Sequence, residues 1–415
     1  MILSKVRVFI FIMLWGGGIH SVLSQHHGLI DLREASLSDN AEALDGYWDF
    51  YPNHLFTYNS FDDKFRTSFA FPDVWKADST IDFGTYRVRV IIPESARNTR
   101  LGVEVPHFFS SYSLWLKDSL LGTNGTPGTT RETTIPEWKP SVFYFEAKDD
   151  TLELILQVSN FYHATGGTRK SIRIAEASLL KDKMNLIMVT DYMLIVMLVT
   201  ISLISLGFYY IIRDYRSPFL FLSFFVLAWA LHSCCSNMYR IQDWITVPWL
   251  WLVKLEHLSI YFTIVTALMF VSSLFPKDFN SKVLKIVFTV LSALFSMFAL
   301  LTEPVTFTAY LFVYMLAAIC LIIYVIIVIA KAFVYERAGA TLMLATILLG
   351  ALTFGYVVLS YLGVIEINIL VYNFSFVILY TLLAVSMGVR LFMMNLTEEN
   401  EMLTFDQLYK DTVKY

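Results

Sequence analysis

The chain has 415 residues, of which 56% are hydrophobic, 16% aromatic and only 16% charged, and its mean hydropathy is +0.57. Soluble domains carry about 25% charged residues, so this composition marks an integral membrane protein. A formal charge of -4 gives a nucleic-acid partner no electrostatic footing.

The chain opens with "MILSKVRVFIFIMLWGGGIHSVLS", in which Lys5 and Arg7 precede an apolar run from Val8 to Trp15 and a small-residue ending. That order predicts a secretory signal peptide over 1–24, cleaved after Ser24, because the run is shorter than the ~20 residues of a bilayer span. The segment 25–183 is then an exported domain. It contains none of the three cysteines, Cys234, Cys235 and Cys320, so it must be stable through its own core without disulfides.

This segment reads as strands. In "TYRVRVII", Tyr86, Val88 and Val90 fall on one face and Arg87 and Arg89 on the other, which is read as solvated. "SYSLWLKDSLLG", "VFYFEA", "LELILQVSN" and "SIRIAEA" behave alike, and turn clusters such as "TNGTPGTT" and "ATGGTRK" separate them. The spacing predicts an all-β antiparallel sandwich.

From Leu186 onward the chain is nearly continuously apolar. Seven spans are predicted: Leu186 to Ile212, Phe219 to Cys235, Trp249 to Leu274, Val283 to Leu301, Phe307 to Ala330, Ala338 to Leu362 and Ile367 to Met393. Together they form an all-α membrane domain over 184–394. The first, third and fifth connecting loops hold Arg213, Arg216, Lys277, Lys282, Lys285, Lys331 and Arg337, whereas the even-numbered loops hold Arg240 alone. By the positive-inside rule the odd loops and the C-terminus face the cytoplasm. An exported first domain followed by an odd number of spans requires the same orientation.

The stretches "LDGYWDFYPNHLF", "FPDVW", "GTYRVRVIIP", "SYSLWLKDSLLGTNGTPG" and "LELILQVSNFYHATGGTRKSIRIAEA" resemble, in that order, the extracellular sensory domain of bacterial seven-transmembrane receptors with diverse intracellular signalling modules. The membrane half resembles the same family through "KLEHLSIYFTIVTALMFVSSLFP" and "NFSFVILYTLLAVSMGVRL". The resemblance implies a jelly-roll sandwich related to the galactose-binding-like modules of glycoside hydrolases. It also implies a carbohydrate or other small extracellular ligand, an inner (plasma) membrane location and a cytoplasmic output module such as a histidine kinase or diguanylate cyclase. Relatives often carry Asn-Gly in the strand turn where this chain has "KDSLLG", so a different turn is expected there.

Sugars present flat apolar faces edged by hydroxyls, so aromatic residues beside polar ones are the ligand candidates: Trp75, Trp115, Asn160, Tyr162, His163 and Arg169. For the two tryptophans, core or rim packing is the competing explanation. Within the spans, His232, Lys254, Glu256, His257 and Asn373 are ionisable or polar groups read to lie toward the outer end, where they could couple ligand state to helix packing. The alternative is simple interfacial placement, with Lys254 snorkelling to headgroups.

No catalytic motif, metal-ligand spacing or phosphate-cradling loop is found, so neither enzymatic activity, cofactor nor metal is expected. The tail over 395–415 begins a heptad seam through Leu396, Met402, Leu403 and Leu408, which suggests a cytoplasmic coiled-coil start and a homodimer. The leading expectation is a receptor. The main alternative, a solute transporter or channel accessory protein, would favour internal repeats and midplane polar sites, and neither is evident. A membrane enzyme acting on lipid or glycan would need a catalytic constellation that the sequence does not display.

Overall fold

The computed structural model describes residues 27–75, 81–213, 215–279 and 281–412, with side chains described as far as Met394. The expected signal peptide lies outside the described residues. An N-terminal β-sandwich is followed by a bundle of seven apolar helices, each long enough to cross a bilayer.

The strands are β1 (Leu29–Asp31), β2 (Glu42–Ala43), β3 (Gly46–Pro52), β4 (Thr67–Phe71), β5 (Val74–Trp75), β6 (Phe83–Ile91), β7 (Arg100–Val105), β8 (Ser111–Leu116), β9 (Ser119–Asn124), β10 (Ser141–Glu146), β11 (Thr151–Ser159), β12 (Gly166–Gly167) and β13 (Arg173–Glu176). Among the described residues, one sheet runs β4-β3-β6-β11-β8-β9 with β1 parallel to β6, and a second runs β10-β7-β13-β2. The short pair β12-β5 forms a third sheet.

Alternation decides which face each sheet buries. Tyr86, Val88 and Val90 of β6 are all 0% exposed, and with Leu154 and Leu156 of β11 they join one core with Leu101, Val103 and Val105 of β7 and Ile174 of β13. Aromatic rings fill one end of this core. Trp48 stacks on Phe71 at 4.5 Å and donates its indole N–H to the Leu44 carbonyl at 2.9 Å, so a large apolar ring is buried with its polar group satisfied.

The opposite face of β6 differs from expectation at one position. Arg89 is exposed, but Arg87 is half-covered: its Nε donates to Glu153 Oε1 at 2.6 Å, and its guanidinium lies 4.5 Å from the centre of the Phe61 ring. Strand pairing sets Glu153 on the adjacent strand, two positions from directly opposite Arg87, and the segment after β3 brings the Phe61 ring over it. The turn joining β8 to β9 is made by Lys117 and Asp118, with Lys117 at φ 51°, so a lysine adopts the left-handed conformation that Asn or Gly usually takes.

The helices are α1 (Ala177–Ile211), α2 (Arg216–Cys235), α3 (Trp249–Leu274), α4 (Lys282–Leu301), α5 (Pro304–Ala309), α6 (Leu311–Val334), α7 (Ala340–Tyr361) and α8 (Ile369–Thr412). Helix α1 starts nine residues before the apolar run that marked the expected span, taking in Lys181, Asp182 and Lys183, because β13 passes directly into it. The fifth expected span began at Phe307, but that residue belongs to the separate short helix α5, which Pro304 opens and which ends before Tyr310. Proline fixes φ and lacks an N–H, so it fits a helix's first turn and marks a new start.

The chain divides into two compact units. The first holds everything described up to Asp191 together with His232–Leu258 and Ser296–Phe312, and the second holds Tyr192–Leu231, Ser259–Phe295 and the chain from Val313 onward. In the second unit, the helices are joined by hydroxyl pairs: Ser202 with Ser223 at 3.0 Å, Ser292 with Tyr314 at 2.7 Å and Thr346 with Ser386 at 3.2 Å. Lipid tails give apolar side chains no reason to leave them, so such bonds and close packing fix the arrangement of helices.

Arg390 of α8 is 8% exposed and is the most heavily bonded cation of this unit among the described residues. It donates to the Ala338 carbonyl at 2.7 Å, the Leu274 carbonyl at 2.8 Å and the Tyr215 hydroxyl at 3.0 Å, and it lies 4.7 Å from the Phe275 ring centre. Gly339, at φ 72°, permits this approach, since a Cβ there would come within 2.9 Å of Arg390 Cβ.

Candidate functional site

The first unit contains an aromatic and histidine cluster that gathers five chain segments. His107 and Phe109 come from the loop after β7, Trp138 from the segment before β10, and Tyr162 and His163 from the loop after β11. Tyr239 and Trp249 come from the connection between α2 and α3 and from the first residue of α3. The rings form a continuous chain: His163 stacks on Phe109 at 4.6 Å and meets Trp138 at 5.5 Å, Trp138 meets Trp249 at 5.7 Å, and His107 touches both Trp138 and Tyr239 at 5.7 Å. Edge-to-face and offset contacts of this kind add to the energy of burial.

Burial has electrostatic consequences. Removal from water pushes His107 and His163 down to about 3, with Lys170 adding to the effect at His107 and His257 and Arg169 at His163, where the Thr165 backbone acts the other way. Burial likewise pushes the Tyr239 phenol up. Both imidazoles are therefore neutral in the folded protein at pH 7. Between pH 6.5 and 3 the unfolded chain binds these protons and the folded chain does not, so stability falls as pH falls through that window. From pH 6.5 to 5 the expected loss is about 2 kcal/mol for each histidine, from ~1.4 kcal/mol per pH unit. Melting temperatures of the wild type and of His107→Gln and His163→Gln variants across pH 5 to 7 check this; a variant that keeps the full acid sensitivity would contradict it.

Beside this cluster lies a cleft of about 350 Å³ lined by Arg131, Pro136, Tyr162, Trp249, Leu250, Glu303 and Pro304. Its polar rim is one ion pair, Arg131 Nη2 to Glu303 Oε2 at 2.5 Å, with both side chains partly exposed. The guanidinium also lies 4.9 Å from the Tyr162 ring centre, and the Tyr162 hydroxyl donates to the Arg131 carbonyl at 2.9 Å. Tyr162 thus holds both the backbone and the side chain of Arg131.

The sequence candidates have diverse fates. Trp75 is 4% exposed in the sandwich core, with its N–H on the Tyr86 hydroxyl at 2.7 Å, so it is a packing residue. Trp115 is half-buried on β8, its N–H 3.3 Å from Gln157 Oε1. Asn160 shapes the loop after β11, with its amide donating to the His163 carbonyl at 2.9 Å and accepting from the His163 N–H at 3.0 Å. Tyr162 lines the cleft, whereas His163, in the ring cluster with Phe109 and Trp138, and the half-buried Arg169 are outside the cleft lining.

Of the span residues, Lys254 is 7% exposed and donates to the Leu300 carbonyl at 2.7 Å, the negative end of α4, so it is directed inward and does not snorkel. His257 bonds the Val253 carbonyl at 2.8 Å and sets its ring edge against Phe307 at 5.1 Å. His232 is buried, and its ring hydrogen-bonds to the backbone of Glu256, a half-buried residue about two turns into α3. Those four belong to the first unit. Asn373 is buried in the second. Sequence reasoning missed Arg131, Trp138, Trp249, Glu303, His107 and Tyr239; the available signal was the placing of aromatic and histidine residues in proline-rich connections such as "VPHFF" and "IPEWKP".

An N-terminal β-sandwich joined to seven apolar helices makes this a multi-pass membrane protein with a folded domain outside the bilayer-spanning part. Residues 187–392 match the model of the family described as 7TM diverse intracellular signalling, and through this membrane domain the chain belongs to that family. No curated protein matches the chain. Among solved structures, a beta-glucuronidase from Bacteroides uniformis shares 15% identity over 32% of this chain at a TM-score of 0.27. A GH2 beta-galacturonidase from Eisenbergiella tayi bound to galacturonate shares 11% over 33% at 0.25, and a Faecalibacterium prausnitzii beta-glucuronidase 10% over 32% at 0.26. The chain spans only 17%, 24% and 31% of those proteins, and likeness at this level says nothing of its ligand or activity.

Proposed function

We propose that this chain is a transmembrane signal-transduction receptor whose sandwich, outside the cytoplasm, binds a small ligand of the carbohydrate class and whose seven helices relay binding to a cytoplasmic output module or protein. On this reading the domain limits are 25–183 and 184–394, the chain sits in the inner (plasma) membrane, and it acts as a homodimer without catalysis of its own. The excess of Lys and Arg in the odd-numbered loops supports the orientation. Membership of a signalling family by the membrane domain supports the relay.

The observation that carries the reading is the direct joining of sandwich and helix ends inside the first unit. Strand β13 ends at Glu176 and α1 begins at Ala177 with no intervening linker. In addition, Arg131 pairs with Glu303, and the Ala164 N–H donates to the Thr308 hydroxyl at 3.4 Å. A ligand that alters the loops after β9 and β11 therefore acts on residues that bound the spans. In this proposal Trp115 of β8 and Asn160, His163 and Arg169 of the connection between β11 and β13 serve ligand binding, and His232, Lys254, Glu256, His257 and Asn373 carry the change among the helices. Transmission requires the ligand to bind the two arrangements with different affinity.

The test is hydrogen exchange of the full chain in lipid nanodiscs with a panel of mono- and oligosaccharides. Expected is a sugar that protects sandwich loop amides and also alters exchange in α8. Protection confined to the sandwich, or flux of the same sugar into proteoliposomes, would overturn the relay in favour of simple capture or transport.

A further inference from the structure

The cleft lined by Tyr162 and Trp249 has two aromatic walls and one ion pair at its rim, and the ion pair is built unevenly. Arg131 is held from two sides independently of Glu303, by the Tyr162 ring beneath its guanidinium and by the Tyr162 hydroxyl on its carbonyl. Glu303 has no comparable support: its side chain is 58% exposed, and it makes no side-chain bond to the N-terminus of α5, which it precedes. If the pair opens, the guanidinium stays in place and the carboxylate leaves. A partly exposed pair of this kind is held weakly, so a competing anion can exchange for Glu303 at little cost.

We propose that the cleft is the ligand site of the receptor and that it takes a small ring-bearing carboxylate, whose carboxylate replaces that of Glu303 on Arg131 while its ring packs against the edge-to-face pair of Tyr162 and Trp249, whose centroids are 5.9 Å apart. The inference rests on the receptor reading and narrows its ligand from any sugar to an acidic ring compound, sugar acids included. Arginine suits this task because its planar fork binds a carboxylate through two parallel bonds. The cleft volume of about 350 Å³ lies in the range of small-molecule sites. Exchange also supplies the difference between states that a receptor needs. In the unliganded state Glu303 is tethered to the sandwich, and in the liganded state it is released together with the start of α5, which leads after Tyr310 into α6. Trp249, the first residue of α3, senses the same event through the ring it offers to the ligand.

Binding is measured by calorimetry on the full chain in uncharged phosphatidylcholine nanodiscs, with glucuronate and benzoate as probes and with glucose and benzamide as their neutral counterparts. Expected is that at least one ring carboxylate binds and its neutral counterpart binds at least tenfold more weakly. Arg131→Gln should abolish that binding and Trp249→Leu weaken it at least fivefold. Glu303→Gln should tighten it several-fold, a gain that a merely structural glutamate would not give. The proposal is overturned if no probe binds, if neutral and acidic rings bind alike, or if Glu303→Gln weakens binding. It is also overturned if nanodiscs containing phosphatidylglycerol block the probes, which would assign the cleft to a lipid headgroup. Each of these failures leaves the receptor reading standing, since that reading depends on whether any sugar bound by the sandwich alters α8.

Discussion

Arg390→Ala should lower the stability of the seven-helix unit by about 2–4 kcal/mol, from the loss of charge-assisted hydrogen bonds and the exposure of unpaired acceptors in a buried site. The three groups that Arg390 binds belong to three different connections: Tyr215 precedes α2, Leu274 ends α3 and Ala338 precedes α7. These are the first, third and fifth loops. One guanidinium therefore joins α8 to every second turn of the bundle, and at Leu274 it meets the negative end of a helix. Arg390→Lys keeps the charge but has a single ammonium on a flexible stem, which cannot reach all three acceptors in the planar geometry of the fork. Its expected cost lies between those of wild type and Ala. Thermal melting in nanodiscs gives the ranking, and hydrogen exchange at the start of α7 and the end of α3 locates the loss. An Ala variant that melts with the wild type would show that the three bonds hold nothing together.

Trp48→Ala should cost about 3–5 kcal/mol in the sandwich, the range for deleting a large aromatic from a packed core. Trp48 is 0% exposed, stacks on Phe71, stands edge-on to Tyr86 at 6.4 Å and satisfies its own N–H on Leu44. The cavity would open where β3, β4 and β6 meet, and these strands have no disulfide to restrain them, since the three free cysteines all lie after Asp191. Trp48→Phe retains the stacking and loses the bond to Leu44, for an expected cost of about 1 kcal/mol from one hydrogen bond. Exchange of β3 and β6 amides in the full chain reads both variants. Loss of protection spread evenly over sandwich and helices would mean that the effect is not the local cavity argued here.

The two halves of the architecture were legible because each obeys a short-range rule. Period-two alternation in "TYRVRVII" told which side of β6 is buried, and apolar runs bounded by charged turns located the spans to within a few residues in most cases. The errors fall where two rules compete. Helix α1 includes three charged residues that hydropathy excludes, because the strand before it fixes its start, and Pro304 separates α5 from α6 although the run remains apolar. Arg87 looked like a solvent-facing residue since nothing local reveals that Phe61 folds over it.

The candidate cleft was the least legible part. Of the sequence candidates Tyr162 lies in the cleft lining, yet the residue that pairs with Arg131 at its rim, Glu303, is 172 residues from Arg131 along the chain. No periodicity or spacing connects two such positions. Only the fold brings them together, through loops that carry no pattern of their own. Trp75 was misleading for the opposite reason, since an aromatic in a turn-rich stretch is equally well suited to a core, and its bond to Tyr86 shows that the core holds it.

Helix α8 runs without a break for 44 residues, from Ile369 to Thr412. At ~1.5 Å per residue that is a rod of about 66 Å, roughly twice the ~30 Å thickness of a hydrocarbon layer. A rod pivoting inside the layer acts as a lever: a tilt that shifts its buried portion by a small amount sweeps its far end through a proportionally larger arc, and a twist is delivered whole. Arg390 sits at the boundary of the two arms, where a fulcrum belongs.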